Sequence, residues 1–383
     1  MKIVYTVATY YPQKNGVQNV TQKQAEALAE CGHEVVVICG NKKNNPDEEK
    51  LNGVTILRVD AHNRFIFNMG DKNTFKLLIK RECEGADVLI TVCMESFATN
   101  WILDELKEIK CKKILYLHGI ANFEKLSLRS LGIGDFLYRM VKRIYWKIYY
   151  CFKLTELKGY DAIAHIHEHD ASLDYFKKKG FDNNYVIYNF VGDEMFIDDD
   201  TSIEENKGNY FLNVSNYSTR KNQKFLLESY YLSNTSNGLV LIGSSDNKYY
   251  RSIVHLNSKL EKKYGRRNVE ILHHITRKQT VRYIKNAFAI VMTSKLEQFP
   301  ITLIEAMANK KPYITSRVGV VEYLQGGIIY DTRKDLIGAL EELGNNAQYY
   351  NELGEKGYML AKEELSISSH VNKMIDMINK VVG

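Results

Sequence analysis

Two glutamates, Glu297 and Glu305, stand with seven residues between them in SKLEQFPITLIEAMANKKPYITSRVG, the stretch from Ser294 to Gly319. The preceding AFAIVMTS reads as a strand, and KLEQF as the short loop that leaves it. Pro300 suits a first helical position, where its missing N–H would have no partner in any case. ITLIEAMANK then reads as a helix, with apolar Ile301, Leu303, Ile304, Met307 and Ala308. Its open backbone N–H groups, in the stretch from Phe299 to Leu303, are suited to an anion. Glu297 lies before that point and Glu305 beyond it. A molecule with a hydroxyl-rich ring, a diphosphate and a second hydroxyl-rich ring matches this layout, and a nucleotide-sugar is such a molecule. A carboxylate that accepts from neighbouring hydroxyls gains about 1.5–3 kcal/mol per charge-assisted bond when shielded from water. The plainer alternative is that Glu305 complements the helix N-terminus and Glu297 is a solvated loop residue.

The elements that must hold these residues alternate. In the first half KIVYTVA, HEVVVIC, ADVLITV, KKILYLHG, DAIAHIH and NYVIYN read as strands separated by helical patterns. In the helix after the first strand, Val17, Val20, Ala25, Leu28 and Ala29 recur at helical spacing, and Gly32 suits its stop. The second half restarts with YFLNVSN, GLVLIG, VEILHHI, AFAIVMT and PYITS, and with helices from Lys221, Lys248, Lys278, Ile301 and Asp335. LSISSHVNKMIDMINKVVG reads as a last helix with an apolar stripe. Such alternation implies parallel sheets covered on both faces, with ligands taken at the carboxyl ends of the strands. The acidic DEMFIDDDTSIEENKGN marks the junction of the halves.

A chain of 383 residues exceeds one core, and 45% hydrophobic with 26% charged residues is ordinary for a globular protein. None of the six cysteines forms a CxxC pair, so they read as reduced thiols of a cytoplasmic protein, without zinc. No apolar run approaches the roughly 20 residues of a membrane span. No GxGxxG follows the first strand and no GxxxxGK[ST] occurs, which removes support for dinucleotide or P-loop chemistry. HIHEHD sets His165, His167 and His169 two apart. A strand ending near His165 and a helix starting by Asp170 break that shared face, so no metal is expected.

Net charge is +6, and residues 125–158 alone hold eight Lys/Arg against two acids. Within them IGDFLYRMVKRIYWKIYYCFKL interleaves Tyr138, Tyr145, Trp146, Tyr149 and Tyr150 with basic residues. Three readings stand side by side. One is an interfacial helix on an anionic bilayer, one a helix packed on its own sheet with snorkelling Lys and Arg, and one a single-strand nucleic-acid surface. Nothing else resembles a base-reading module, so no nucleic-acid partner is expected.

SKLEQFPITLIEAMANKKPYITSRVGVVEYL is similar to the donor-site signature of the retaining glycosyltransferases of family 4, which have the GT-B fold. Glu297, Glu305, Ala306, Met307, Ala308, Ser316, Gly319 and Glu322 fall on its pattern. YYPQKNGVQNV resembles the family's first turn, with Asn15 in place of one glycine and Gly16 at the next, near the donor phosphate. LYLHG matches the strand end whose histidine, here His118, lines the cleft near donor sugar and acceptor. DAIAHIH and VIYNF match later strands, with Phe190 where the family often has Gly. LNVSNYSTRKNQKFLLESY matches the segment that supplies basic residues to the diphosphate. Lys221 takes the family's lysine position, whereas Asn216 stands where arginine is common. Arg220 beside Lys221 is a substitute whose side chain could equally face solvent. The resemblance covers nearly the whole chain and is weakest over 41–81 and 122–159.

The resemblance implies an α/β protein of two doubly wound Rossmann-like domains facing across a cleft: an acceptor domain over 1–190, a donor domain over 191–365, and a helix over 366–383 returning to the first. It implies a retaining transfer from a nucleoside-diphosphate sugar, UDP by default, without a metal or other cofactor. The acceptor would be a glycan or a polyprenyl-linked or other lipid-linked glycan, made at the inner face of a bacterial-type cell membrane. Glu297, His118 and Lys221 would be catalytic. Gly16, Asn216, Arg220, Phe299, Pro300, Ile301, Thr302 and Glu305 would hold substrate. The other class open to the sequence is a catalytically silent homologue that supports a partner transferase.

Overall fold

The structure, a computed structural model, describes residues 1–13, 15–41, 45–120, 133–197 and 208–383. They form two units, one of Met1–Asn189 with Ile367–Gly383 and one of Phe190–Ser366.

In the first unit β1 (Lys2–Val7), β2 (Glu34–Gly40), β3 (Glu48–Leu51) and β4 (Val54–Val59) precede a hairpin of β5 (Ala61–Arg64) and β6 (Phe67–Gly70). Then come β7 (Val88–Val92), β8 (Lys112–Tyr116), β9 (Ala162–His165) and β10 (Asn184–Val186). The main sheet runs β10-β9-β8-β7-β1-β2-β4-β3, parallel except for β3 against β4. Its strands read as unbroken apolar runs because each face meets its own core. Val4, Val36, Ile38 and Leu115 point into one, with Phe75, Phe97 and Trp101 packed edge to face. Ile3, Tyr5, Val35 and Val37 point into the other. That second core is closed by the helix Ile367–Val382, whose Val371, Met374, Ile378 and Val381 repeat at helical spacing. The expected return of the last helix to the first unit is what the fold shows.

The second unit holds β11 (Tyr210–Val214), β12 (Gly238–Gly243), β13 (Val269–His273), β14 (Ala289–Met292), β15 (Tyr313–Ser316) and β16 (Gly327–Tyr330). All are parallel, in the order β13-β12-β11-β14-β15-β16. In both units the chain reverses its direction of travel at the sheet centre, between β1 and β7 and between β11 and β14. Loops diverge there, and a crevice opens at the strands' carboxyl ends.

Several sequence expectations are corrected. Pro300 is the N-cap rather than the first helical residue, and its helix is Ile301–Met307, stopping short of Lys310. Lys310 takes a left-handed φ of 52°, and Lys311 N–H returns to the Ala306 carbonyl. The helix expected from Lys221 begins at Gln223, because Asn222 turns left-handed at φ 58°. The helix Ile133–Phe152 forms, yet Trp146 and Tyr150 are core residues and Tyr145 and Tyr149 lean on that core. These four aromatics are therefore not its interfacial face. Lys125 and Arg129 of the basic stretch lie outside the described residues.

Candidate functional site

In the second unit the loops after β11 and β14 are tied together before any charge is considered. Thr293 Oγ1 donates to the carbonyls of Lys221 (3.1 Å) and Asn222 (3.2 Å). Lys295 N–H donates to the Arg220 carbonyl at 2.8 Å. That frame carries the Lys221 ammonium onto the Glu297 carboxylate, and the two side chains are only 17% and 13% exposed. A third segment closes over the loop. Gly319 sits at φ 58°, where a Cβ would meet the carbonyl oxygens of Gln298 at 2.4 Å and Glu297 at 2.6 Å. Only glycine allows that approach. Val320 N–H bonds to Gln298 O at 3.1 Å, and Ser316 Oγ to Ser294 O at 2.5 Å.

Glu305 lies in the helix Ile301–Met307 with its side chain 7% exposed, and accepts from the Arg277 guanidinium. Arg277 opens the helix Arg277–Lys285, which follows β13 and is started by a Thr276–Gln279 capping box. Sequence reasoning passed over Arg277. The signal was present in ITRKQ, where a capping Thr followed by Gln three residues on sets the intervening arginine at the carboxyl end of the sheet. Leu303 N–H already bonds to Pro300 O at 3.0 Å, so among the described residues the amides of Ile301 and Thr302 are those the turn leaves for an anion. Phe299 and Pro300 are buried supports. Asn216 and Arg220 are exposed, and the structure uses their backbones: Asn216 O accepts from Gln223 Nε2 at 3.1 Å, and Arg220 O from Lys295. Glu322 pairs with Arg317, away from the two inner carboxylates.

Gly16 and His118 belong to the first unit. Asn15 caps the helix Gly16–Glu30 in extended conformation, accepting from Gln18 N at 2.9 Å and donating to Thr9 Oγ1 at 2.8 Å. An extended capping asparagine needs no glycine, which accounts for the departure at that position. His118 follows β8, with its ring 5.1 Å from that of Tyr116. Burial, then the neighbouring His370, lowers its pKa to about 3, against the Asn189 side chain that acts to raise it. The imidazole is neutral at pH 7.

His165 is fully buried, bonded through Nδ1 to Ser172 (2.8 Å) and through Nε2 to Asn184 (2.9 Å). Asp170 caps the next helix at Ala171. The strand thus ends at His165 and the next helix is capped by Asp170, as expected, so the three histidines do not share one strand face, and His165 is a packed core residue. Among the described residues no group of three His, Cys, Asp or Glu is placed to hold a metal.

The comparisons with known proteins agree with this fold. Residues 14–193 match the family model described as Glycosyltransferase Family 4, and residues 196–359 that of Glycosyl transferases group 1. Sucrose-phosphate synthase from Thermosynechococcus elongatus is similar with a TM-score of 0.72 at 15% identity, over 99% of this chain and 98% of that one. HepE of Anabaena, solved with UDP and glucose, gives 0.69 at 13% identity over 99% and 100%. The lipopolysaccharide outer core galactosyltransferase WaaB in its apo form gives 0.65 at 16% over 99% and 99%. No curated protein matches the sequence. The chain is a glycosyltransferase of GT-B fold. Its first unit belongs to family 4 of these enzymes and its second to group 1.

Proposed function

We propose that the protein is a retaining, metal-independent glycosyltransferase. It moves a sugar from a nucleoside-diphosphate donor, UDP-linked, to a glycan or lipid-linked acceptor in surface polysaccharide or glycolipid synthesis, working as a peripheral protein at the cytoplasmic face of the membrane. The observation that carries this reading is the pairing of both carboxylates with cations, Glu297 with Lys221 on the loops at the switch point between β11 and β14, and Glu305 with Arg277 at the start of the helix after β13. Glu305 would take the ribose hydroxyls and Glu297 the donor sugar. As the anomeric carbon–oxygen bond breaks, its electron pair passes to the diphosphate. Lys221, already held between the loops, stabilises that charge with no reorganisation at the moment of transfer. Glu297 favours the positive charge on the ring. The acceptor hydroxyl attacks the face the diphosphate leaves, and the departing phosphate oxygen takes its proton, which retains the anomeric configuration. Neutral His118 can contact the sugar or acceptor as a hydrogen-bond partner. The presence of UDP in a similar fold supports the choice of base.

Thermal-shift measurements with UDP-, GDP- and ADP-sugars, followed by donor hydrolysis, test the reading. A ligand at 100 times its dissociation constant adds about 2.7 kcal/mol to the fold that binds it. Both Glu305→Ala and Lys221→Ala should remove the shift and the turnover. Turnover unaffected by both substitutions overturns the site, and a shift without turnover identifies the silent homologue.

A further inference from the structure

The helix Ile133–Phe152 is apolar on both faces. Trp146 and Tyr150 fill the core, and Tyr150 Oη binds Glu95 N at 2.5 Å and Asn100 Oδ1 at 2.8 Å, fixing which face looks in. On the opposite face Leu137, Val141, Ile144, Ile148 and Phe152 recur every three or four residues. They are 48–81% exposed, the highest value being that of Phe152. A helix apolar all round is normally covered on all sides. The hairpin tip extends this face: the Phe65 ring lies 5.1 Å from that of Tyr138, and Phe67 next to it is 60% exposed. Basic residues flank the stripe. Between Phe136 and Thr155 the sequence has five Lys/Arg and no acid, and Lys153 at the end of that run pairs with Asp104 and Glu156.

We infer that this outer face seats the first unit on an anionic bilayer surface. A second copy docked on the same stripe would bring Arg139, Lys142 and Lys147 against themselves. Headgroups of anionic lipid complement those charges while the aliphatic stripe enters the acyl boundary. Among the described residues no helix is long and apolar enough to cross a membrane, so the helix lies in the interface. The face also adjoins the loop after β7 at the sheet's switch point. Asn63 Oδ1 of the hairpin accepts from Phe97 N at 3.0 Å, and Tyr150 holds Glu95. A lipid-linked acceptor drawn from the bilayer would therefore arrive beside that loop. This last step rests on the proposed transferase reading, whereas the seating itself does not.

Cosedimentation of the full chain with phosphatidylcholine vesicles, with and without about 30% phosphatidylglycerol to supply an anionic surface, tests it. Binding should be at least tenfold tighter to the anionic vesicles, since each basic residue near such a surface contributes about fivefold. Ile144→Asp/Ile148→Asp and Lys142→Glu/Lys147→Glu should each weaken it at least tenfold. Both pairs lie on the surface, and unchanged thermal melting confirms that the variants fold. No anionic-vesicle binding, or binding indifferent to both variants, overturns the inference. So does a dimer in light scattering that Ile144→Asp/Ile148→Asp dissolves. The assay contains neither donor nor acceptor, so its failure leaves the donor site standing.

Discussion

Lys221 and Arg277 do different work although each neutralises a carboxylate. Lys221 is as enclosed as Glu297, so Lys221→Ala leaves a sheltered charge without its partner and removes the cation that meets the diphosphate. Arg277 is half exposed and holds Glu305 from outside. Arg277→Ala should therefore raise KM for the donor about ten- to twentyfold, the lower end of one charge-assisted hydrogen bond (about 1.5 kcal/mol), with little change in kcat. An equal fall in kcat would place Arg277 on the reacting group instead. Two glycines of the family pattern should also separate. Gly319→Ala forces a left-handed alanine into the Glu297–Gln298 carbonyls, costing about 1–2 kcal/mol in backbone alone and displacing the catalytic loop. Gly16 opens a helix with nothing within 4 Å of a built Cβ, so Gly16→Ala should leave the unfolding midpoint unchanged or slightly higher. Equal destabilisation by the two would contradict the geometry. The glutamate spacing was legible because it repeats a known signature. For Arg277, ITRKQ shows a helix start, but its reach to Glu305 depends on the helix after β13 packing beside the helix after β14, which no local spacing encodes.

Among the elements, strands buried on both faces were readable as apolar runs, and those with polar faces were not. EEKL at β3 reads as a charged loop. VTILRV at β4 contains Arg58, which is buried because Pro46 O (2.8 Å), Tyr11 O (3.0 Å) and Glu49 (2.6 Å) surround its guanidinium. β16 is four residues long and begins with a glycine whose Cβ would strike the Tyr313 ring at 2.1 Å. The helix Ile133–Phe152 shows a different limit. Periodicity finds two apolar stripes on it and cannot say which one the sheet takes. The assignment has a direct check in chemical denaturation. Trp146→Ala should cost about 3–5 kcal/mol as a core truncation. Ile148→Ala, on the exposed side, should stay within about 0.5 kcal/mol. Comparable losses from the two would mean the exposed stripe is packed in solution.

At the scale of the whole molecule, the two units should respond differently to acid. A network in the first unit runs from Tyr5 Oη to Gln24 Oε1 (3.2 Å), from Gln24 Nε2 to His370 Nε2 (2.9 Å), and from His370 Nδ1 to Tyr188 O (2.7 Å). The Tyr188 carbonyl can only accept, so Nδ1 carries the proton and Nε2 accepts from Gln24, which is the neutral imidazole. Burial lowers the His370 pKa to about 4 and that of His118 to about 3, and it also lowers those of His165 and His167. An unfolded histidine titrates near 6.5. Below that pH the unfolded chain binds protons that the folded unit refuses, so stability is complete above about 6.5 and falls as pH drops toward 4. The loss is up to about 1.4 kcal/mol per pH unit for each such histidine. Both tryptophans, Trp101 and Trp146, lie in the first unit, so selectively excited tryptophan fluorescence reports it alone while circular dichroism reports both. Between pH 7 and 5 the fluorescence midpoint in urea should fall further than the dichroism midpoint. His370→Gln, which keeps one donor and one acceptor, should flatten that dependence by one histidine's share. Parallel shifts of the two signals, or a slope untouched by the substitution, would show that the buried imidazoles do not set the acid response.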